Sequence, residues 1–279
     1  MPVSITVVGS VNLDLIARLP VLPRPGETLT ATHYDQAPGG KGANQALAAR
    51  RLGADVRLVA AVGDDALAED ALALLRAAGV DLSELAVVPG PTGLALIQVD
   101  ESAETTIVVV PGANAQLAVR PAQLTGADGV LTVLEVPEAA VVAAAEHATG
   151  FFALNAAPAR PVPDAVLRRA DLVVVNQSEF EQIDNIGLAR TVAITHGAKG
   201  AELRRDGQTV AEAAPPRVTA VDGTAAGDAF TAALMIGLLE GRSDTEALRR
   251  ACAVGALTAT RHGAQPALPT RAEVEEVLA

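Results

Sequence analysis

The sequence predicts an α/β protein: a three-layer α/β/α body on a mostly parallel sheet, with a small β-sheet set apart from it. Three observations carry this. From Val130 on, short β-branched runs at 130–134, 151–154, 172–175 and 192–195 alternate with Ala-rich helical stretches. That order gives parallel strands with helices on both faces. Segments 12–18 and 28–36 instead alternate polar and apolar residues, which suits a half-exposed sheet, and 92–100 and 104–110 read as two further strands that pair with them. Half of the 279 residues are hydrophobic and only 2% are aromatic, so the core of one large domain must be Ala, Val and Leu.

Taken in order, Ile5–Val8 reads as a buried strand ended by Gly9-Ser10. In 12–18, Asn12 and Asp14 lie two apart and share a face. After a Pro-rich turn at 20–26 and the alternation of 28–36, Pro38-Gly39-Gly40-Lys41-Gly42-Ala43-Asn44-Gln45-Ala46 feeds a helix stopped at Gly53. Residues 56–62 form a strand, and Gly63-Asp64-Asp65 opens a helix over 66–78 that Gly79 ends. Glu101-Ser102-Ala103 closes a hairpin between 92–100 and 104–110, and these two strands pair with 12–18 and 28–36. A second hairpin turns at Arg205-Asp206-Gly207, and helices run from 228 to the end, interrupted at 261–266. There is no internal repeat and no low-complexity linker.

A net charge of −12 with pI near 4.8 argues against a nucleic-acid partner, which needs a basic face. It permits a phosphate ligand, because backbone dipoles can hold one against the global charge. The single Cys252 allows no disulfide within the chain and no cysteine metal site, and it reads as a small buried hydrophobe in a reducing, cytoplasmic setting. The first residues show neither a signal peptide nor a membrane span, so no membrane partner is expected.

The stretch Val221-Asp222-Gly223-Thr224-Ala225-Ala226-Gly227-Asp228 has the strongest functional character. Two carboxylates bracket small residues where a helix begins. Helix N-terminal N–H groups lack internal partners and favour anions, phosphate above all. The plainer alternative makes Asp228 an N-cap. Asn12 and Asp14 could hydrogen-bond a polyol or line a solvated face. Gly-Gly-Lys-Gly at 39–42 lacks Walker spacing and could be only a tight turn with an exposed Lys41. Polar residues recur after the apolar strands: Glu135, Asn155, Asn176 with Glu179, and Thr195-His196-Gly197. Ligands of open α/β sheets bind at those strand ends.

Together these residues resemble the ribokinase-like (PfkB) sugar kinases. Residues 39–46 are similar to the first signature of that family and 222–228 to its second. Asn12-x-Asp14, Gly63-Asp64-Asp65, Asn176-x-x-Glu179, Thr195-x-Gly197 and Gly263-Ala264-Gln265-Pro266 follow in the family's order, so the resemblance covers nearly the whole chain. It implies a Rossmann-like body over 1–279 with a β lid from about 12–40 and 92–111, and transfer of the ATP γ-phosphate to the O5 hydroxyl of D-ribose. The alternatives are another furanose such as 2-deoxyribose, a nucleoside, or a non-catalytic sugar- or nucleotide-binding protein. Asp228 is then the base, and the backbone N–H groups of Ala225, Ala226 and Gly227 form the anion hole. Asn12, Asp14, Gly39, Gly40, Lys41, Asn44 and Glu135 bind the sugar. Asn176, Thr195, Gly197, Gly200, Ala226, Gly227 and Cys252 serve the nucleotide. Glu179 positions Mg²⁺ through water, while Asp222, Thr224, Arg261, Gly263 and Ala267 surround a monovalent cation, K⁺, mostly with backbone. The resemblance further implies a homodimer formed through the lid.

Three positions depart from the family. Asn176 to Thr191 is only 16 residues where relatives carry an extra helix, though a crossover needs about a dozen. Ala267 replaces a hydroxyl residue beside the cation, and Cys252 a polar residue on the adenine side.

Overall fold

The computed structural model describes residues 2–102 and 104–279; of the first hairpin turn, Ala103 lies outside them. The first half contains β1 (Ser4–Val8), β2 (Asn12–Arg18), β3 (His33–Gly39), α1 (Lys41–Arg51), β4 (Asp55–Gly63), α2 (Leu67–Ala78), β5 (Leu85–Val88), β6 (Gly93–Val99) and β7 (Thr105–Val110). There follow β8 (Gly129–Val133), α3 (Glu138–His147), β9 (Phe151–Asn155), α4 (Asp164–Arg169), β10 (Leu172–Asn176), α5 (Gln177–Gln182) and β11 (Thr191–Thr195). The chain ends with β12 (Ala201–Arg205), β13 (Gln208–Ala213), α6 (Ala226–Leu239), α7 (Asp244–Thr258) and α8 (Arg271–Leu278).

Among the described residues the large sheet runs β13-β12-β11-β10-β9-β8-β1-β4-β5. It is parallel from β11 to β5 and antiparallel at β12 and β13. The chain first builds outward from β1 through β4, then returns to add β8 on the other side. The order therefore reverses at β1 and β8, and a crevice opens above their carboxyl ends. The small sheet runs β3-β2-β6-β7. Its strands β2 and β3 are only partly buried and β7 is exposed at every residue, whereas the body strands are buried on both faces.

Two hydrophobic clusters cover the large sheet. One packs under α1, α2, α6, α7 and α8, the other under α3, α4 and the turn around Ile183–Ile186. Helix α6 is buried at every residue from Asp228 to Gly237, so it has no solvent face and lies inside the layer. Small side chains permit this. A Cβ on Gly237 would stand 2.9 Å from the Ala247 Cβ, and one on Gly255 3.2 Å from the Ala226 carbonyl, so α6 and α7 touch almost backbone to backbone.

Three expectations need correction. The second lid strand occupies His33–Gly39, not 28–36, and so runs straight into α1. The edge strand Leu85–Val88 went unread because its four residues carry no alternation. Asp228 does not open its helix, as described below. The shortened 176–191 segment does cross over: α5 and a 3₁₀ turn at Ile186–Leu188 suffice to bring β11 parallel to β10. Asp206 and Gly207 both adopt positive φ, 50° and 78°, as a two-residue hairpin turn requires.

Candidate active site

The site is built where α1 presses onto the end of β1. Gly40 has φ 87°, and a Cβ there would lie 2.7 Å from the Asn12 nitrogen and 2.9 Å from the Ser10 carbonyl. A Cβ on Gly42 would lie 2.5 Å from the backbone of Gly9 and Ser10. Both are contacts with backbone, which cannot give way, so glycine is a steric requirement here. The close approach carries the first two turns of α1, with Lys41, Asn44 and Gln45, to the carboxyl ends of the strands. Gly39 similarly leaves room for the Asp14 carboxylate, whose oxygens would stand 2.3–2.4 Å from any added Cβ.

Asn12 and Asp14 do share a face of β2, and they are 2% and 7% exposed, which rules out a solvated face. The Asn114 amide donates to Asn12 Oδ1 at 2.8 Å and is itself clamped to both backbone groups of Val11. The Asn12 NH₂ is thereby turned the other way. Glu135 Oε2 accepts from Ser10 Oγ at 2.5 Å and from the Lys41 N–H at 3.0 Å, anchoring it at the start of α1. Lys41 is half-buried rather than exposed. Its pKa is raised, first by Asp228, against the opposing effect of burial, with Glu135 and Glu179 adding to the rise.

Burial pushes the Asp14 carboxyl up from its ordinary 3.8 to about 7, with the Glu135 and Asp228 charges adding to the rise. The folded protein therefore holds a proton that the unfolded chain releases, and stability falls as pH rises through that window. Asp14→Asn should stabilise the ligand-free protein by an amount that grows between about pH 4 and 7 and is constant above. Thermal melts of both forms across that range check this; a difference that shrinks with rising pH contradicts it.

At the second motif, Ala225 takes the left-handed conformation at φ 60° and precedes the first helical residue, Ala226. Asp228 is the third residue of α6, not its cap, and no side chain caps this helix. The carboxylate instead points inward, 6% exposed. Asn44 Nδ2 donates to its Oδ2 and Gln45 Nε2 to its Oδ1, both at 2.9 Å. Gln45 also donates to Asn155 Oδ1 at 2.9 Å. The Ala226 N–H is engaged by the Gly223 carbonyl at 3.1 Å. Among the described residues the N–H groups of Ala225 and Gly227 have no backbone partner. A Cβ on Gly227 would meet nothing within 4 Å, so the approach to this helix end is open.

Asp222 accepts from the Thr224 N–H at 2.9 Å and hydroxyl at 2.6 Å, and from the Gly263 N–H at 2.8 Å. These bonds outweigh its partial burial and hold its pKa below the usual carboxylate range. Its carboxylate ties the 222–228 turn to the 261–267 loop. Within that loop Arg261 pairs with Glu273, and Ala267 is buried.

Asn176 and Glu179 form a reciprocal capping box on α5, each side chain bonding the other's N–H at 2.8 Å. Asn176 pairs with Thr195 across β10 and β11. Beyond β11, His196, Lys199, Glu202, Glu212, Ala213 and Ala214 line a groove of about 430 Å³, with Gly197 and Gly200 in its turn. Cys252 is not exposed in that groove. Its thiol donates to the Ala213 carbonyl at 3.5 Å, and burial pushes its pKa up to about 11. Among the described residues no three acidic, histidine or cysteine side chains converge as a metal cluster.

The structure thus brings Asn12, Asp14, Gly39, Gly40, Lys41, Asn44, Glu135 and Asp228 into one crevice. It puts Asp222, Thr224 and Gly263 together beside it, and Thr195, Gly197 and Gly200 at a separate strand end. Sequence reasoning missed Ser10, Gln45 and Asn114, and it left Asn155 without a role. Gln45 and Asn155 carried a signal: one lies in the Gly-rich motif, the other ends a buried strand, and both are amides where burial demands a partner.

A family model for pfkB carbohydrate kinases matches residues 3–271. The chain belongs to the pfkB family of carbohydrate kinases. This pfkB kinase is 38% identical to the ribokinase of Haemophilus influenzae over 99% of this chain and 98% of that one. It is 36% identical to the ribokinase of Bacillus subtilis, over 99% of each. Its fold superposes on Thermotoga maritima ribokinase with TM-score 0.90 and 30% identity, covering 99% of both chains. On Arabidopsis thaliana ribokinase complexed with ribose and ATP the TM-score is 0.89 at 29% identity, covering 100% of this chain and 99% of that one.

Proposed function

We propose that this kinase transfers the γ-phosphate of ATP to the O5 hydroxyl of D-ribose, giving ribose 5-phosphate. One observation carries the reading: the Asn44–Asp228 hydrogen bond joins the sugar-side motif to the phosphoryl-side helix start. Asp228 stands as the base, at the bottom of a crevice walled by polyol-binding groups. Asn44 Oδ1 is buried without a partner among the described residues, a cost that a sugar hydroxyl donating to it would remove. Asn12, Asp14, Lys41 and Glu135 supply further donors and acceptors around the ring. A sugar lacking one hydroxyl would leave one of them unpaired. The N–H groups of Ala225 and Gly227 at the mouth of α6 suit the transferring phosphoryl group, and phosphoryl transfer asks mainly for positioning and charge stabilisation. The relatives' names point the same way. A coupled assay over ribose, 2-deoxyribose, fructose 6-phosphate and adenosine tests the assignment. Ribose should have the highest kcat/KM; a higher value for any other acceptor overturns it.

The groove beyond β11 suits the nucleotide, with Thr195, Gly197 and Gly200 at the strand end and turn beside it and Cys252 buried behind Ala213. Glu179 fits a Mg²⁺ held through waters, since magnesium keeps most of its hydration and takes few protein ligands. The residues around Asp222 fit a monovalent cation: the carboxylate stays ionised, and with Ala267 unable to offer a hydroxyl the remaining ligands would be backbone carbonyls. Such a cation would shape the turn that leads into α6. Rates in KCl should exceed those in tetramethylammonium chloride; equal rates remove this site.

The chain is read as one folding unit whose small sheet acts as a lid, since Asn12 and Asp14 lie on it while Asp228 lies on the body. Closure over the sugar would exclude water. Strand β7 exposes Ile107, Val108, Val109 and Val110 at the edge of that sheet, with Leu96 beside them. A bare apolar edge favours pairing with a second copy. Sedimentation should show a dimer that Val108→Lys weakens; a monomer at micromolar concentration ends this reading. No described helix is long and apolar enough to cross a membrane, and the acidic chain is read as acting in the cytoplasm without nucleic-acid or membrane partners.

A further inference from the structure

We propose that Gln45, anchored by Asn155, is the positioning residue that fixes the carboxylate of Asp228 for proton abstraction. The proposal rests on the reading of Asp228 as the base. Gln45 is fully buried and Asn155 only 6% exposed. They link four elements in one chain of hydrogen bonds. Asn155 Nδ2 on β9 donates to the Val174 carbonyl of β10 at 3.1 Å. Asn155 Oδ1 accepts from Gln45 Nε2 on α1, and the same NH₂ donates to Asp228 Oδ1 on α6.

The polarity of this chain is forced by its ends. A backbone carbonyl and a carboxylate both only accept, so the two amides between them can be oriented in one way. The Asn155 NH₂ must face Val174, its oxygen must face Gln45, and the Gln45 NH₂ must serve both neighbours. The cost of that arrangement is visible: Gln45 Oε1 is buried without a partner among the described residues. Turning the amide over to satisfy that oxygen would set it against Asp228 and Asn155 and break two bonds at once.

Asn44 holds the other oxygen, but it also belongs to the sugar's surroundings, and its own Oδ1 has no partner among the described residues. Its bond to Asp228 is therefore open to exchange when a hydroxyl arrives. Gln45 lies behind the carboxylate and is tied into the sheet. It leaves Oδ1 fixed while Oδ2 accepts the proton. The charged groups acting around Asp228 are Asp14 on β2, Lys41 on α1 and Glu135 after β8. None of them holds Oδ1 in place.

The test compares kcat, ribose KM and pH–rate profiles of the parent, Gln45→Met and Gln45→Glu, each also in an Asp228→Asn background. Gln45→Met keeps length and removes both donors. Its kcat should fall by about 10²-fold, as a misplaced catalytic group does, with ribose KM within about threefold. Gln45→Glu is isosteric and sets a second carboxylate against the base. Its acidic limb should move up by about one pH unit, as for carboxylates sharing a site, and kcat should stay below the parent's above that limb, because the ionised new side chain has no N–H with which to hold Oδ1. Neither substitution should lower the residual rate of Asp228→Asn further, because residues acting as one unit are not additive. An unshifted acidic limb in Gln45→Glu overturns the proposal even if Gln45→Met fails to fold. So does a loss that is fully additive with Asp228→Asn. Near-parental kcat in Asp228→Asn alone would instead remove the base assignment, and this role with it.

Discussion

Asp228→Asn should lower kcat by 10²–10⁴-fold, the usual worth of a positioned general base, and leave ribose affinity within about tenfold, or ~1.4 kcal/mol. An amide keeps the shape of the carboxylate but cannot accept the hydroxyl proton. The structure adds a reason for the protein to tolerate the change. The carboxylate receives one NH₂ from Asn44 and one from Gln45. The new side chain has one oxygen and one NH₂, so one of these donors must give way. Gln45 is held by Asn155, whereas Asn44 has an unpartnered oxygen to turn toward the new NH₂. The pair re-forms, and the melting temperature should change little. Kinetics, sugar titration and a melt measured together decide the point. A large stability loss with normal kcat would return Asp228 to a structural role.

Gly42→Ala should be nearly as damaging to activity, by a different route. Alanine normally favours a helix over glycine by about 1 kcal/mol. Here its methyl would stand 2.5 Å from the Gly9 and Ser10 backbone, beside the Ser10 hydroxyl that accepts the Gly42 N–H. Overpacking of this kind costs about 1–3 kcal/mol. The strain is relieved only by lifting α1 off β1. That motion carries Lys41, Asn44 and Gln45 away from Asp14 and Asp228, and a displacement of about 1 Å is worth about 10²-fold in rate. Thermal melting and kcat/KM should fall together, whereas Gly187→Ala, whose methyl would meet nothing within 4 Å, should be silent in both. A Gly42→Ala enzyme with parental kcat/KM would show that the close approach of α1 is not needed.

The parallel sheet, the lid strands and most helices were legible because each has its own period and stop signals. β10 is four apolar residues and an asparagine, and α2 ends at a left-handed Gly79. The Gly-rich motif at 39–42 was legible because a close backbone approach admits almost no other residue, and the one at 222–228 because two carboxylates bracket small residues where a helix begins. These are properties of neighbouring residues, and a sequence carries them directly. The sequence by itself therefore determined the fold class, both motifs and the polar residues at the strand ends. Only the tertiary structure decided how those residues meet. Asp228 could be read as a cap or as a base until packing turned it inward, because an N-cap and a buried carboxylate at the third helical residue look alike along the chain. Gln45 lies 183 residues from Asp228 and 110 from Asn155. A hydrogen-bond chain across such separations arises only when the sheet order places α1, β9 and α6 around one crevice. Ser10 and Asn114 went unread for the same reason: their partners, Glu135 and Asn12, are 125 and 102 residues away. Local pattern determines the elements, and burial in the assembled fold determines which polar groups must find one another.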